Sequence, residues 1–75
     1  MQKRNLKFAR EFTRRLEARM TQLDISKDTL IRHAGLPKPT VYELFSGTIV
    51  PRADTVLKIA RALNVSTDDL INFDV

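Results

Sequence analysis

The sequence predicts an all-α fold: a compact bundle of five helices around one core. Three observations predict it. Every strong apolar repeat has the helical period rather than the alternation of a strand. Residues that start and stop helices stand at the ends of those repeats. The only alternating stretch, Asn72-Phe73-Asp74-Val75, is too short to define a strand. The chain has 75 residues, room for one domain spanning residues 1–75. A domain this small buries only about 60% of the surface its unfolded chain exposes, so its stability is expected to be marginal.

The first helix is expected over about residues 6–22. Ala9, Phe12, Leu16 and Met20 fall in one narrow stripe at about 100° per residue. Lys3, Lys7, Arg10 and Arg14 lie near the opposite side, as a basic ridge. Residues 21–24 read as a break, ending on Asp24, a residue type that tolerates the left-handed conformation after a helix end.

Ser26 is a suitable N-cap for a second helix running to about residue 34, with Leu30, Ile31 and Ala34 inward. Gly35 stops it at a tight turn. A third helix is expected over about residues 39–46, with Val41, Leu44 and Phe45 apolar. Pro37 and Pro39 suit a helix start, where early N–H groups have no partner. The residue before a proline is pushed away from the α region, so Lys38 is expected at the cap. Leu36 and Val41 have the spacing of a hydrophobic staple. Gly47 ends this helix, and a loop containing Pro51 follows.

The fourth helix spans about residues 53–63, with Val56, Leu57, Ile59, Ala60 and Leu63 apolar and Asn64 at its end. Ser66 and Asp69 form a capping box for a short fifth helix through Ile71, with Asp in place of the usual Glu.

Charge is unevenly spread. The net charge is +4. Residues 1–22 carry seven basic residues against Glu11 and Glu17; the rest of the chain is neutral or slightly acidic. A cationic surface of this kind favours a polyanionic partner. There is no cysteine and a single histidine, His33, which excludes disulfides and thiolate or His-rich metal sites. No nucleophile–base set, paired carboxylates or phosphate-cradling glycine loop is present, so no enzyme, cofactor, metal or small-molecule ligand is expected. No apolar run approaches 18 residues, and the basic N-terminus lacks the apolar stretch of a secretory signal; the expected location is the cytoplasm, away from membranes.

The segment SKDTLIRHAGLPKPTVYELFSGTIVPRADTVLKIARALNVSTDDL, residues 26–70, resembles the lambda-repressor-like helix-turn-helix family of the Cro/CI or XRE type. Ala34-Gly35-Leu36 resembles the family's Ala-Gly-Val turn, and Thr40-Val41 its Thr-Ile. Gly47 and Pro51 resemble its Gly-x-x-x-Pro loop, and residues 57–66 its closing helix and following cap. The resemblance implies that helices two and three, about residues 26–46, form the helix-turn-helix. The third helix would then enter the major groove, a channel about 12 Å wide that admits one helix.

Carried over position by position, the resemblance implies base contacts from Lys38, Pro39, Thr40, Tyr42 and Glu43. Lys38 can donate to guanine and Glu43 can accept from cytosine, while Pro39 and Thr40 suit a thymine methyl. Tyr42 suits a phosphate or sugar edge. Phosphate contacts are implied for Lys27, where the family often has Gln, and for Ser46, Thr48 and Arg52. Arg10 and Arg14 are added from charge alone. Many family members bury an Arg–Glu pair between helices one and three; the corresponding residues here are Met20 and Phe45, which are expected to touch.

The function implied is a sequence-specific double-stranded DNA-binding regulator of transcription. It would be a bacterial or phage-encoded repressor, binding a palindromic operator as a homodimer. The chain has no room for a separate sensing domain. The alternative is an antitoxin-type module whose main partner is a protein, with DNA binding as autoregulation. Ile49, Val50, Phe73 and Val75 are the candidate dimer or partner surface.

Overall fold

The structure, a computed structural model, describes residues 3–72, with side chains from residue 6 onward. Helix α1 spans Lys3–Leu23. At about 1.5 Å per residue it is about 31 Å long, the same as the longest dimension of the molecule, 31 Å. It begins earlier than the apolar stripe alone indicated, because a helix extends beyond its buried face wherever the flanking residues are good helix formers. Asp24 ends it at φ 55°, in the left-handed region, as expected from its short polar side chain.

Helix α2, Lys27–Ala34, starts at Ser26, whose hydroxyl accepts the Thr29 N–H. Gly35 closes it at φ 67°, and its N–H donates to the Ile31 carbonyl. Helix α3, Lys38–Phe45, begins one residue earlier than expected. Lys38 is its first helical residue rather than its cap. The Pro37 carbonyl accepts the Val41 N–H at 3.3 Å and so closes the first turn around Lys38. Pro39, second in the helix, removes only an N–H that would have had no helical partner. Leu36 and Val41, at the staple positions on either side of this start, are both buried.

Helix α4, Ala53–Leu63, and helix α5, Thr67–Ile71, complete the chain. Asn64 adopts φ 56° after α4. Ser66 and Asp69 form both bonds of a capping box. All five helices, and no strand, are found among the described residues.

Each helix supplies a fully buried side chain to one core: Phe12 and Leu16 from α1, Leu30 from α2, Val41 from α3, Ile59 from α4 and Leu70 from α5. Helix α4 packs on α2 and α5, while α1 packs on α3 and α5. Leu57, one of the apolar residues of α4, lies exposed. Val56, Ile59, Ala60 and Leu63 already fill the inward face, and Leu57 falls outside their arc.

One buried polar bond joins α1 to the end of α3. The Thr13 hydroxyl donates to the Leu44 carbonyl at 2.7 Å. That carbonyl also accepts the Gly47 N–H at 3.3 Å. Replacing Thr13 by Val should therefore remove one bond without orphaning the carbonyl. The expected loss is about 0.5–1.5 kcal/mol, or a Tm lower by about 2–12 °C for a domain of this size. Thr13→Ser keeps the donor and should lose less. Thermal unfolding of the two variants checks this, and equal stability of Thr13→Val and wild type would show that the bond contributes nothing.

Candidate nucleic-acid interface

The outward face of α3 carries Lys38, Pro39, Tyr42 and Glu43, all exposed, with Thr40 half-buried between them and the core. Val41 and Leu44 pin the opposite side into the core, so the exposed residues cannot rotate inward. Five of the residues expected to meet DNA bases thus share one short helix. No acidic residue occupies the first turn of α3, so its N-terminal dipole adds to the positive potential of Lys38.

Lys27 opens α2 beside this helix. Its ammonium lies over the Phe45 ring, 4.6 Å from the centroid, and over the Tyr42 ring at 5.5 Å. Lys38 places a second ammonium 5.7 Å from the Tyr42 centroid. Met20 and Phe45 line one shallow cleft with Lys27, and neither points into solvent. The ring contact described for Phe45 is cationic. Sequence reasoning treated Lys27 as a phosphate contact only. An aromatic at position 42 or 45 gives no sign in the sequence of a cation arriving from another helix.

The turn after α3 is closed by its own hydroxyls. Ser46 Oγ donates to the Glu43 carbonyl at 2.6 Å and accepts the Thr48 N–H at 3.3 Å. Ser46 has one hydroxyl hydrogen, so in its 2.7 Å contact with Thr48 Oγ1 the threonine is the donor. Both hydroxyl hydrogens are therefore engaged inside the turn. A phosphate contact from Ser46 or Thr48 requires one of these bonds to be exchanged. Arg52 has Asp54 at 3.4 Å, and both side chains are well exposed, so that pair opens readily.

The four arginines of α1 with described side chains divide into two sets. Arg14 and Arg15 share the Glu11 carboxylate; the Arg14 Nε to Glu11 Oε1 distance is 3.0 Å and the Arg15 Nε to Oε2 distance is 3.2 Å. Arg15 also donates to the Asp69 carbonyl at 3.4 Å, and Arg19 stands 3.9 Å from the Asp69 carboxylate. The bonds to Asp69 tie α1 to α5. Arg10 is exposed and has no ion-pair partner among the described residues. It lies against Gly47, where an added Cβ would stand 3.7 Å from Arg10 Cγ. Of the two arginines proposed from charge, Arg10 is thus placed at the end of α3 with its charge uncompensated, and Arg14 is paired. The Glu11 pairing was readable from its i,i+3 and i,i+4 spacing; the Asp69 pairing crosses 54 positions and was not.

Ile49 and Val50 are exposed on the loop between α3 and α4. Phe73 and Val75 lie outside the described residues. No helix among the described residues is long and apolar enough to cross a membrane, and no cluster of metal-ligating side chains occurs among them.

A family model, the Cro/C1-type HTH DNA-binding domain, matches residues 15–75. No significant match is found among curated proteins or among solved structures.

The hydrogen bond from Arg14, opposed by partial desolvation and helped by Arg15, holds the Glu11 carboxyl below the ordinary glutamate value of 4.5. A depressed folded-state value means that the pair's contribution is present above the ordinary glutamate range. It is lost as pH falls through the lower folded value. An NMR titration should show Glu11 ionising below the ordinary glutamate value. Arg14→Gln should move the Glu11 midpoint back up. A Glu11 midpoint unmoved by that substitution would refute the pairing.

Proposed function

Because the chain belongs to the Cro/C1-type helix-turn-helix DNA-binding family, we propose that it is a sequence-specific regulator of transcription that acts by binding and not by catalysis. The observation that carries this reading is the outward face of α3. Lys38, Pro39, Tyr42 and Glu43 are exposed together while Val41 and Leu44 anchor the helix. Laid in a major groove, that face presents donors, an acceptor and apolar surface to base edges. Arg10 at the far end of α3 and Lys27 beside it supply cations for the two flanking backbones. Arg14 joins them when its bond to Glu11 opens, and Arg52, Ser46 and Thr48 form the rim.

A single such unit reads few base pairs. A homodimer on a two-fold symmetric operator, with half-sites about 34–36 Å apart, supplies the missing specificity. Repression then follows from occlusion of a promoter. The exposed apolar pair Ile49 and Val50 supports a contact between copies; the same pair is what an antitoxin-type protein partner would cover.

Selection from random duplex DNA at roughly 150 mM salt, where phosphate binding is partly screened, tests the reading. Enrichment of a two-fold symmetric site is expected. Salt-sensitive retention of all DNA without enrichment would overturn it and turn attention to protein partners.

On the selected site, Lys38→Ala should cost roughly 5- to 150-fold in affinity, the worth of one good base contact, and relax preference at one base pair. Arg10→Ala should weaken all sequences alike and lower the salt slope by about 0.9. Binding isotherms over a salt series separate the two. A sequence-selective effect of Arg10→Ala would contradict its assignment to the backbone.

A further inference from the structure

Lys27 stands at the first position of α2, where the helix dipole disfavours a cation. It is half-buried all the same, because its ammonium lies over two rings of α3, Phe45 at 4.6 Å and Tyr42 at 5.5 Å. Lys38, one turn before Tyr42 on the same helix, brings a second ammonium to 5.7 Å. A cation within about 6 Å of a ring centroid is attracted by the ring quadrupole. Tyr42 therefore holds two cations and is nevertheless 45% exposed, in the middle of the face that would meet DNA. An aromatic side chain this exposed has little packing to select its rotamer. Here the selection comes from charge, and one of the two charges belongs to another helix.

We infer that Lys27 is a positioning residue: it holds the Tyr42 ring in one rotamer on the outer face of α3, and through that ring it sets part of the sequence preference. The inference rests on the reading of α3 as the recognition helix. A ring face covered by a cation is closed to a base, so the rotamer that Lys27 holds decides which part of Tyr42 a groove meets. The competing role for Lys27 is plain phosphate contact. The two roles separate cleanly. A cation that only neutralises phosphate weakens binding to all sequences alike. One that fixes a ring alters preference at the base pair facing the ring, and has no such effect once the ring is gone.

The test uses Lys27→Met, which keeps an unbranched apolar stem over the rings, and Lys27→Arg, which keeps a cation. In the free protein the Lys27 ε-methylene protons should resonate upfield by ring current, and less so in Tyr42→Leu. Unshifted protons overturn the inference without any DNA present. On the selected site and its single-base variants, Lys27→Met should compress preference about two- to fivefold, the worth of one exposed cation–ring contact. The compression should fall at the base pair where Tyr42→Leu compresses it. The double variant should add nothing further, and Lys27→Arg should restore the wild-type profile. Uniform weakening with an unchanged profile and a smaller salt slope overturns the inference in favour of a phosphate contact. A wild-type protein that selects no sequence overturns the recognition reading and this inference together; the ring-current shift then tells whether the packing was also at fault.

Discussion

Thr13 donates its hydroxyl hydrogen to the carbonyl of Leu44, 31 positions away, inside the core. The bond joins the middle of the longest helix to the last turn of one of the shorter ones. Helix α3 has eight residues, too few to be stable alone in water. It begins on prolines with no side-chain cap, so its start contributes little to its persistence. What keeps it helical is attachment: Val41 and Leu44 in the core, the Pro37 carbonyl at its start, and Thr13 at its end. The orientation of every exposed residue on α3 follows from those attachments. The Gly47 turn depends on the same carbonyl, which its N–H also reaches. Arg10, one turn before Thr13 on α1, is thereby set against Gly47.

The second organising influence is the sorting of cations. By composition, α1 is a predominantly basic helix. By structure, the four arginines of α1 with described side chains have three destinations. Glu11 takes Arg14 and Arg15, Asp69 on α5 takes Arg15 and Arg19, and Arg10 is left facing the end of α3. Exposed ion pairs of this kind contribute little stability each. Their consequence is directional: they engage Arg14, Arg15 and Arg19 and leave Arg10, beside the end of α3, without a carboxylate partner among the described residues. A net charge of +4 therefore understates how one-sided the available potential is. Lys27 belongs to the same pattern, since aromatic rings rather than carboxylates hold it and its full charge remains available.

Much of the architecture was legible residue by residue. Ser26, Gly35, Asn64 and the Ser66–Asp69 pair act locally, through bonds within a few positions, and each performs its expected role at its expected place. The stripe of Ala9, Phe12, Leu16 and Met20 is buried as its period required. What the local pattern did not convey has a different cause. Lys38 was set outside the helix by a local rule about prolines, and the Pro37 carbonyl brought it inside. Leu57 is apolar yet exposed, because Val56, Ile59, Ala60 and Leu63 already fill the inward face of α4. Ser46 and Thr48 were read from the resemblance as phosphate contacts; the structure adds that their hydroxyl hydrogens also close a turn.

The sequence by itself determined the helices, their caps, their inward faces and the residue types on the outer face of α3. These depend on periodicity and on hydrogen bonds spanning three or four positions, which a linear string records. The tertiary structure alone decided which cations remain unpaired, which ring Lys27 lies over, and what holds the end of α3. Each of those is a contact between helices, such as Thr13 with Leu44 or Arg19 with Asp69. Its existence depends on how the helices cross, and that angle is set by packing of the whole core at once, with no signature in any one stretch of the chain.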